Sequence, residues 1–175
     1  MRDVTNWAVP STLVVMGVSG CGKSALGAVL AQRLRWRFLE GDTLHSCASV
    51  AKMAAGTPLS DEDRREWLLR LQQTIASARI DGLPLVLSCS ALKRRYRDVL
   101  REGDPELALL YLDGDPQLIA TRLQKRTDHF MPVGLLASQL RDLEPPGEDE
   151  CYVRLNPADT PAMLVQHVVH AFGLT

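Results

Sequence analysis

The feature that most constrains this chain is a glycine-rich stretch near its N-terminus. Residues 17–24 read GVSGCGKS and fit the pattern G-x-x-x-x-G-K-[ST] at every fixed position. An apolar run, Thr12–Met16, precedes the stretch, and an amphipathic helical pattern follows it. A buried strand, a glycine loop and a helix in this order place backbone N–H groups and the positive helix end around an anion. The pattern therefore predicts a nucleotide-binding loop.

Each position of this loop has an expected part. Lys23 is expected to reach the β and γ phosphates as a catalytic cation, and the Ser24 hydroxyl to ligate Mg²⁺. Backbone contacts to phosphate oxygens are expected from the rest of the loop: Gly17, Val18, Ser19, Gly20, Cys21 and Gly22. The N–H dipoles around Cys21 could also lower the pKa of its thiol and make it sensitive to thiol reagents.

Strand-length apolar runs alternate with helical patterns along the rest of the chain. Further strands are predicted over Trp36–Glu40, Pro84–Cys89, Leu107–Leu112 and Cys151–Leu155. Helices are predicted over Ser24–Leu34, after Ser60 with a capping box to Asp63, from Pro116, and from Pro161 to about Gly173. This alternation implies a parallel sheet covered by helices on both faces. We expect one α/β P-loop domain over residues 1–175.

Composition argues against several classes of partner. The net charge of -1 gives no basic excess for a nucleic-acid partner. No apolar run approaches the ~18 residues of a membrane-spanning helix, and the first residues lack the build of a signal peptide. The four cysteines are scattered, which fits a reducing compartment. We expect a cytoplasmic protein without nucleic-acid or membrane partners.

Three loops should meet at one edge of the sheet, because ligands of open parallel sheets lie beyond the carboxyl ends of the strands. They are residues 17–24, Gly41–His45 and Ser88–Lys93. Asp42 is predicted to orient an acceptor hydroxyl and accept its proton, or to hold a magnesium-bound water. His45 is predicted to hydrogen-bond an acceptor hydroxyl. A turn cap for Asp42 and a surface position for His45 are the alternatives.

Arg64 is a candidate for binding an anion. It lies four residues before Leu68, on the helix face that meets the domain, and one turn from the helix N-terminus. A cation at this end opposes the helix dipole, so an anion should compensate it. A substrate carboxylate or phosphate suits an arginine fork. The alternative is an internal ion pair with Asp61 or Asp63.

Arg122 and Arg126 stand four residues apart on one helix face. They are predicted to close onto the β and γ phosphates and neutralise the transition state, unless they form only a solvated face. The acids after the fourth strand, Asp113 and Asp115, resemble a magnesium aspartate superficially. A helix cap just before Pro116 explains Asp115 as well.

These segments resemble the small, thermoresistant-type gluconokinases, a family of P-loop carbohydrate kinases. The matching strings are GVSGCGKS (17–24), GDTLH (41–45), KMAAGTPLSDEDRREWL (52–68), CSALKRRYRDVLR (89–101), LDGDPQLIATRLQKRTDHFM (112–131) and LLASQLRDLEPP (135–146). They cover most of the chain from about residue 13 to residue 146. The resemblance implies a nucleoside-monophosphate-kinase-like, five-stranded parallel sheet with a small helical lid at about residues 122–140.

The resemblance also implies an activity. Enzymes of this family transfer the γ-phosphate of ATP to the 6-hydroxyl of D-gluconate, giving 6-phosphogluconate and ADP, and a homodimer is a family expectation. Arg122 and Arg126 are carried over as lid arginines above the ATP phosphates. Acceptor-binding residues implied by the resemblance are Asp42, His45, Arg64, Lys93 and His129.

The chain departs from the family in one segment. The family commonly reads H-P-x-x-N where this chain reads HSCAS, so Ser46 replaces the proline and Ser49 the asparagine. We expect a looser segment facing the acceptor, which leaves a related sugar acid, a shikimate-like acid or a nucleoside monophosphate as rival acceptors. Aromatic residues are only 5% of the chain, which disfavours stacking on a nucleotide base. A regulatory ATP-binding protein without turnover is a rival of another class, but Lys23, Ser24 and Asp42 are all intact.

Overall fold

A computed structural model describes residues 9–124 and 134–174. The strands in these ranges are β1 (Thr12–Met16), β2 (Arg37–Glu40), β3 (Leu85–Ser88), β4 (Ala108–Leu112) and β5 (Tyr152–Leu155). The helices are α1 (Lys23–Leu34), α2 (Cys47–Ala54), α3 (Asp61–Ile80), α4 (Arg94–Gly103), α5 (Pro116–Gln124), α6 (Gly134–Asp142) and α7 (Pro161–Phe172). A short 3-10 turn, Gly41–Leu44, joins β2 to α2.

The strands form one parallel sheet in the order β2-β3-β1-β4-β5. This arrangement confirms the predicted α/β fold and its five strands. The central strand β1 is buried along its whole length. Because successive side chains of a strand point to opposite faces, those of β1 enter a core on each side of the sheet. Leu13 and Val15 pack with α1 and α7, whereas Val14 and Met16 pack with α3 and α4.

Local signals in the sequence set several helix boundaries. The Asp63 N–H donates to Ser60 Oγ and the Ser60 N–H donates to Asp63 Oδ2, which is the predicted capping box. Asp115 Oδ1 accepts from the Gln117 N–H at 2.9 Å, so the capping interpretation of Asp115 is confirmed. None of the helices in the two described ranges combines the length and the apolarity needed to cross a bilayer.

Helices α2 and α4 were not predicted from the sequence, and α6 was anticipated only as part of the helical lid that the resemblance implies. In α4 the apolar positions Tyr96 and Leu100 are outnumbered by charged residues, and Arg97 itself is buried at 1% exposure. The predicted lid, residues 122–140, runs from the end of α5 into α6. Its middle part, with Arg126 and His129, lies outside the described residues.

Candidate active site

The phosphate loop has the backbone that its glycines predict. Gly17, Gly20 and Gly22 have φ angles of 141°, 83° and 103°, which favour glycine. A Cβ on Gly20 would lie 2.5 Å from Leu123 Cγ, so α5 packs directly against the loop. Gly22 is the N-cap of α1 and supplies no side-chain cap, so the first N–H groups of α1 are suited to an anion.

Two polar residues and a cysteine complete the loop. Lys23 Nζ donates to the Val18 carbonyl oxygen at 3.0 Å, while Ser24 is exposed in the first turn of α1. Cys21 is only 1% exposed, and burial raises the pKa of its thiol despite the nearby charge of Lys23. The predicted lowering of the Cys21 pKa is therefore wrong, because the dipole argument left out desolvation.

A cleft lies beyond the carboxyl ends of β1, β2 and β3. Predicted site residues in its wall are Ser19, Lys23, Asp42, His45 and Arg64. The other residues in the wall are Met53, Leu59, Trp67, Ser90 and Gln139. Residues from all three strand-end loops meet here, so their predicted convergence is confirmed.

Asp42 and His45 lie on the 3-10 turn after β2. The Asp42 side chain is 38% exposed, and no hydrogen bond among the described residues uses its carboxylate as a turn cap. The His45 side chain is 5% exposed, so its surface alternative is wrong. Burial lowers the pKa of His45 from 6.5; Asp42 opposes this shift and Arg64 adds to it. A neutral imidazole can donate from one nitrogen and accept at the other.

Arg64 extends from the first turns of α3 into the cleft. Its Nη1 donates to the Leu59 carbonyl oxygen, and its guanidinium carbon lies 5.7 Å from the Tyr96 ring centroid. Within residues 9–124 and 134–174, Arg64 pairs with neither Asp61 nor Asp63, so the internal ion pair considered above does not form. Its charge remains suited to an anionic ligand in the cleft.

Lys93 lies just before α4 and is not part of the described cleft wall. Its Nζ lies 3.2 Å from Asp61 Oδ1 and 3.5 Å from Asp142 Oδ1. The Tyr96 hydroxyl and Arg95 also contact Asp61. Lys93 therefore belongs to a charge cluster beside the cleft, and its contact with the acceptor stays a prediction.

Arg122 lies on α5, near enough to the phosphate loop for its charge to act on the Cys21 thiol. Arg126 and His129, which were predicted with it, lie outside the described residues. Asp113 accepts from the Tyr111 hydroxyl at 3.1 Å and lies 3.5 Å from Arg154 Nε. Asp113 thus has partners within the protein, and its part as a magnesium aspartate stays an alternative.

The segment that departs from the family pattern forms the start of α2. Ser46 Oγ accepts from the Ser49 N–H at 3.1 Å and bonds to Ser49 Oγ at 3.0 Å. Ser49 is 5% exposed. The two serines that replace the family's proline and asparagine thus bond to each other at the start of α2 as a helix cap. Neither of them lines the described cleft.

Trp67 and Gln139 are hydrogen-bonding wall residues outside the three predicted loops, and sequence reasoning missed both. Trp67 lies three residues after Arg64 on the same helix face, a signal that could have identified it. Gln139 Oε1 accepts from the Ser19 N–H at 2.6 Å across 120 residues of chain, and no local pattern marks it.

Comparisons with known proteins identify the family of this chain. A family model described as an AAA domain matches residues 13–146. The gluconokinase of Gluconobacter oxydans (strain 621H) is 44% identical over 163 residues, 93% of this chain and 92% of that protein. The thermoresistant gluconokinase of Escherichia coli (strain K12) is 45% identical over 149 residues, 85% of each chain. The crystal structure of a gluconokinase from Sinorhizobium meliloti 1021 has a TM-score of 0.85 at 42% identity, covering 95% of this chain and 93% of that one. The chain therefore belongs to the gluconokinase family of P-loop kinases.

Proposed function

We propose that this protein transfers the γ-phosphate of ATP to the 6-hydroxyl of D-gluconate, giving 6-phosphogluconate and ADP. The observation that carries the proposal is that Lys23, Asp42 and Arg64 line one cleft. A sugar-acid kinase needs a cation for the phosphates, a proton acceptor and a fork for the carboxylate. The gluconokinase relatives support gluconate as the acceptor.

In the proposed reaction the 6-oxygen attacks the γ-phosphorus while the bond from that phosphorus to the β–γ bridging oxygen breaks, and ADP leaves. Asp42 orients the hydroxyl and accepts its proton. Lys23 neutralises charge on the phosphate oxygens, where most of the rate enhancement arises. Arg122 adds charge from the lid side. Arg126 and His129 stay predictions for the same step, because they lie outside the described residues.

Arg64 binds the gluconate carboxylate at the other side of the cleft. Its lack of a carboxylate partner among the described residues supports this role. His45, held neutral by its burial, hydrogen-bonds a gluconate hydroxyl. The Trp67 ring lines the cleft, but His45 already stacks on it. The ring therefore has less free surface on which a nucleotide base could stack.

Mg²⁺ fits the donors of this site. The exposed Ser24 hydroxyl and the Asp42 carboxylate are hard oxygen ligands of the kind that Mg²⁺ prefers. Ser24 would bind the ion directly and Asp42 through a water. When bound, Mg²⁺ neutralises charge on the β- and γ-phosphate oxygens. A single domain with a lid at residues 122–140, a homodimer and a cytoplasmic location stay predictions.

The test is a coupled ADP-release assay with Mg-ATP against D-gluconate, other sugar acids, shikimate and nucleoside monophosphates. We expect turnover with D-gluconate. Asp42→Asn should lower kcat by about 10²- to 10⁴-fold with ATP affinity retained. Asp81→Asn, an exposed aspartate at the end of α3, is the matched control. Turnover of a different acid alone, or an unchanged kcat in Asp42→Asn, would contradict the proposal.

A further inference from the structure

Trp67 of α3 contacts the turn that carries Asp42 at both of its ends. Its Nε1–H donates to the Gly41 carbonyl oxygen at 2.8 Å. Its ring stacks on His45 with centroids 4.3 Å apart and 13° between the planes. Trp67 is itself only 2% exposed, so the indole is held by the core. One rigid side chain therefore spans the turn, with Asp42 between its two points of contact.

The stack matters because the His45 ring has few other anchors. In the part of the chain that the structure describes, Nδ1 is buried and makes no hydrogen bond. Nε2 lies 3.9 Å from Asp42 Oδ1, which is beyond hydrogen-bonding distance. A buried polar atom without a partner is uncommon in native proteins and requires an explanation. Here the ring plane is set by packing against Trp67 and not by hydrogen bonds.

The two ends of the turn are held differently. Gly41 lies so close to β3 that a Cβ on it would be 2.5 Å from the Ser88 carbonyl oxygen. The sheet and the indole N–H together fix this end. At the other end, the His45 N–H donates to the Asp42 carbonyl oxygen at 3.3 Å, a bond within the turn itself. This end is held to α3 by the ring stack, by Arg70 Nη1, which donates to the Leu44 carbonyl oxygen at 3.4 Å, and by packing of the Leu44 side chain on the core.

We propose that Trp67 is a positioning residue, which sets Asp42 and His45 against the acceptor through its hydrogen bond to Gly41 and its stack on His45. This inference rests on the proposed function. The two contacts can be separated by substitution: Trp67→Phe removes the N–H donor and keeps an aromatic ring, whereas Trp67→Leu removes both.

The kinetic arm compares these variants of the full chain with Trp36→Phe, a matched control whose half-buried indole packs on the other core. We expect Trp67→Phe to lower kcat with D-gluconate about 10-fold, because Asp42 is less well oriented. Trp67→Leu should also raise the KM for gluconate. The KM for ATP should stay within about 2-fold in both, and Trp36→Phe should match the unsubstituted protein.

The second arm needs no substrate. The ring carbon proton of His45 between the two nitrogens, assigned by its disappearance in His45→Gln, should be shifted upfield by the Trp67 ring current. Trp67→Leu should abolish this shift and Trp67→Phe should keep much of it. Trp67→Phe preserves aromatic bulk, so it remains informative if Trp67→Leu does not fold.

Two results would overturn the inference. One is an unchanged His45 resonance in folded Trp67→Leu. The other is a loss of this shift that is accompanied by unaltered kcat and KM values, or by equal impairment of the kinetics with ATP and with gluconate. Equal impairment is the result that a purely structural role predicts. If the unsubstituted protein turned over no acid in the panel, the proposed function would fail, and the ring-current measurement would still report whether Trp67 holds the His45 ring.

Discussion

Arg97 donates two hydrogen bonds to Glu150, from Nε to Oε1 and from Nη2 to Oε2, each 2.8 Å long. Both side chains are 1% exposed. Arg97 Nη1 also donates to the carbonyl oxygens of Ala91 and Glu144. This buried ion pair therefore ties the loop after β3, which brings Ser90 to the cleft, to the segment before β5.

Removing the Glu150 charge should destabilise the protein strongly. Glu150→Gln would leave the Arg97 guanidinium buried without its counter-ion, which costs about 3–5 kcal/mol of unfolding free energy. For a domain of this size we expect Tm to fall by about 6–20 °C in a calorimetric or circular dichroism melt. Asp98→Asn is the control, because the Asp98 side chain is 51% exposed in its pair with Arg94. A fall in Tm for Glu150→Gln as small as that of the control would contradict this prediction.

The Arg97–Glu150 pair should also make the stability of the protein depend on pH in the acid range. Burial alone would raise the pKa of Glu150, but hydrogen bonds from Arg97, Gly147 and Arg101 together bring it from 4.5 down to about 2. The folded state therefore binds this proton later than the unfolded state, and the stabilisation is present above pH 4.5. It should be lost as the pH falls toward about 2, and Glu150→Gln should lack this part of the acid slope in denaturant titrations.

His45 should make stability depend on pH in a higher range. Burial lowers the pKa of His45 below 6.5; Arg64 adds to this shift, Asp42 opposes it, and Trp67 covers the ring. As the pH falls below 6.5, the unfolded chain binds a proton before the folded protein does, so the folded state loses stability. The difference in unfolding free energy between the unsubstituted protein and His45→Gln isolates this effect. A difference that moves the other way on acidification would mean that Asp42 outweighs burial.

Arg64→Lys should impair gluconate binding selectively. Lysine keeps the charge but loses the planar fork that matches a carboxylate, so we expect the KM for gluconate to rise about 10-fold or more. The KM for ATP should change by less than about 2-fold. Arg65→Lys is the matched control, since the Arg65 side chain is 73% exposed and faces Glu62. Equal rises in both KM values would remove the support for a carboxylate contact.

Ser46 should affect the stability of α2 more than the choice of acceptor. Ser46→Ala removes the N-cap and should cost about 1 kcal/mol. Ser46→Pro should be better tolerated, because Ser46 has φ -66° and His45 is extended, at φ -64° and ψ 147°. Proline also restricts the unfolded chain, which restores about 0.4–1 kcal/mol.

The measurement for Ser46 joins thermal melts to gluconate kinetics. Neither Ser46 nor Ser49 lines the described cleft, so the KM for gluconate should remain within about 2-fold in both variants. A tenfold change in that KM would instead assign this segment a direct part in specificity.

Features encoded by neighbouring residues were predictable from the sequence. The phosphate loop, the capping box of Ser60 and Asp63, and the predicted strands depend on contacts or patterns within a few residues. Helix α4 was missed because Arg97 reads as a surface residue, whereas its partner Glu150 lies 53 residues away. The interpretation of Cys21 failed for a related reason, since its burial comes from distant segments packed around the loop.

Sequence patterns were enough to predict a parallel sheet with a phosphate loop, with Asp42 and His45 near the strand ends. Chain direction and the strand-end rule suffice for that, because they act on every parallel sheet alike. Two outcomes could be seen only in the folded protein: Arg64 lacks a carboxylate partner among the described residues, and His45 is buried against Trp67. Those outcomes depend on how α3 packs on the sheet, because contacts between residues far apart in the chain are set by the packing of whole elements.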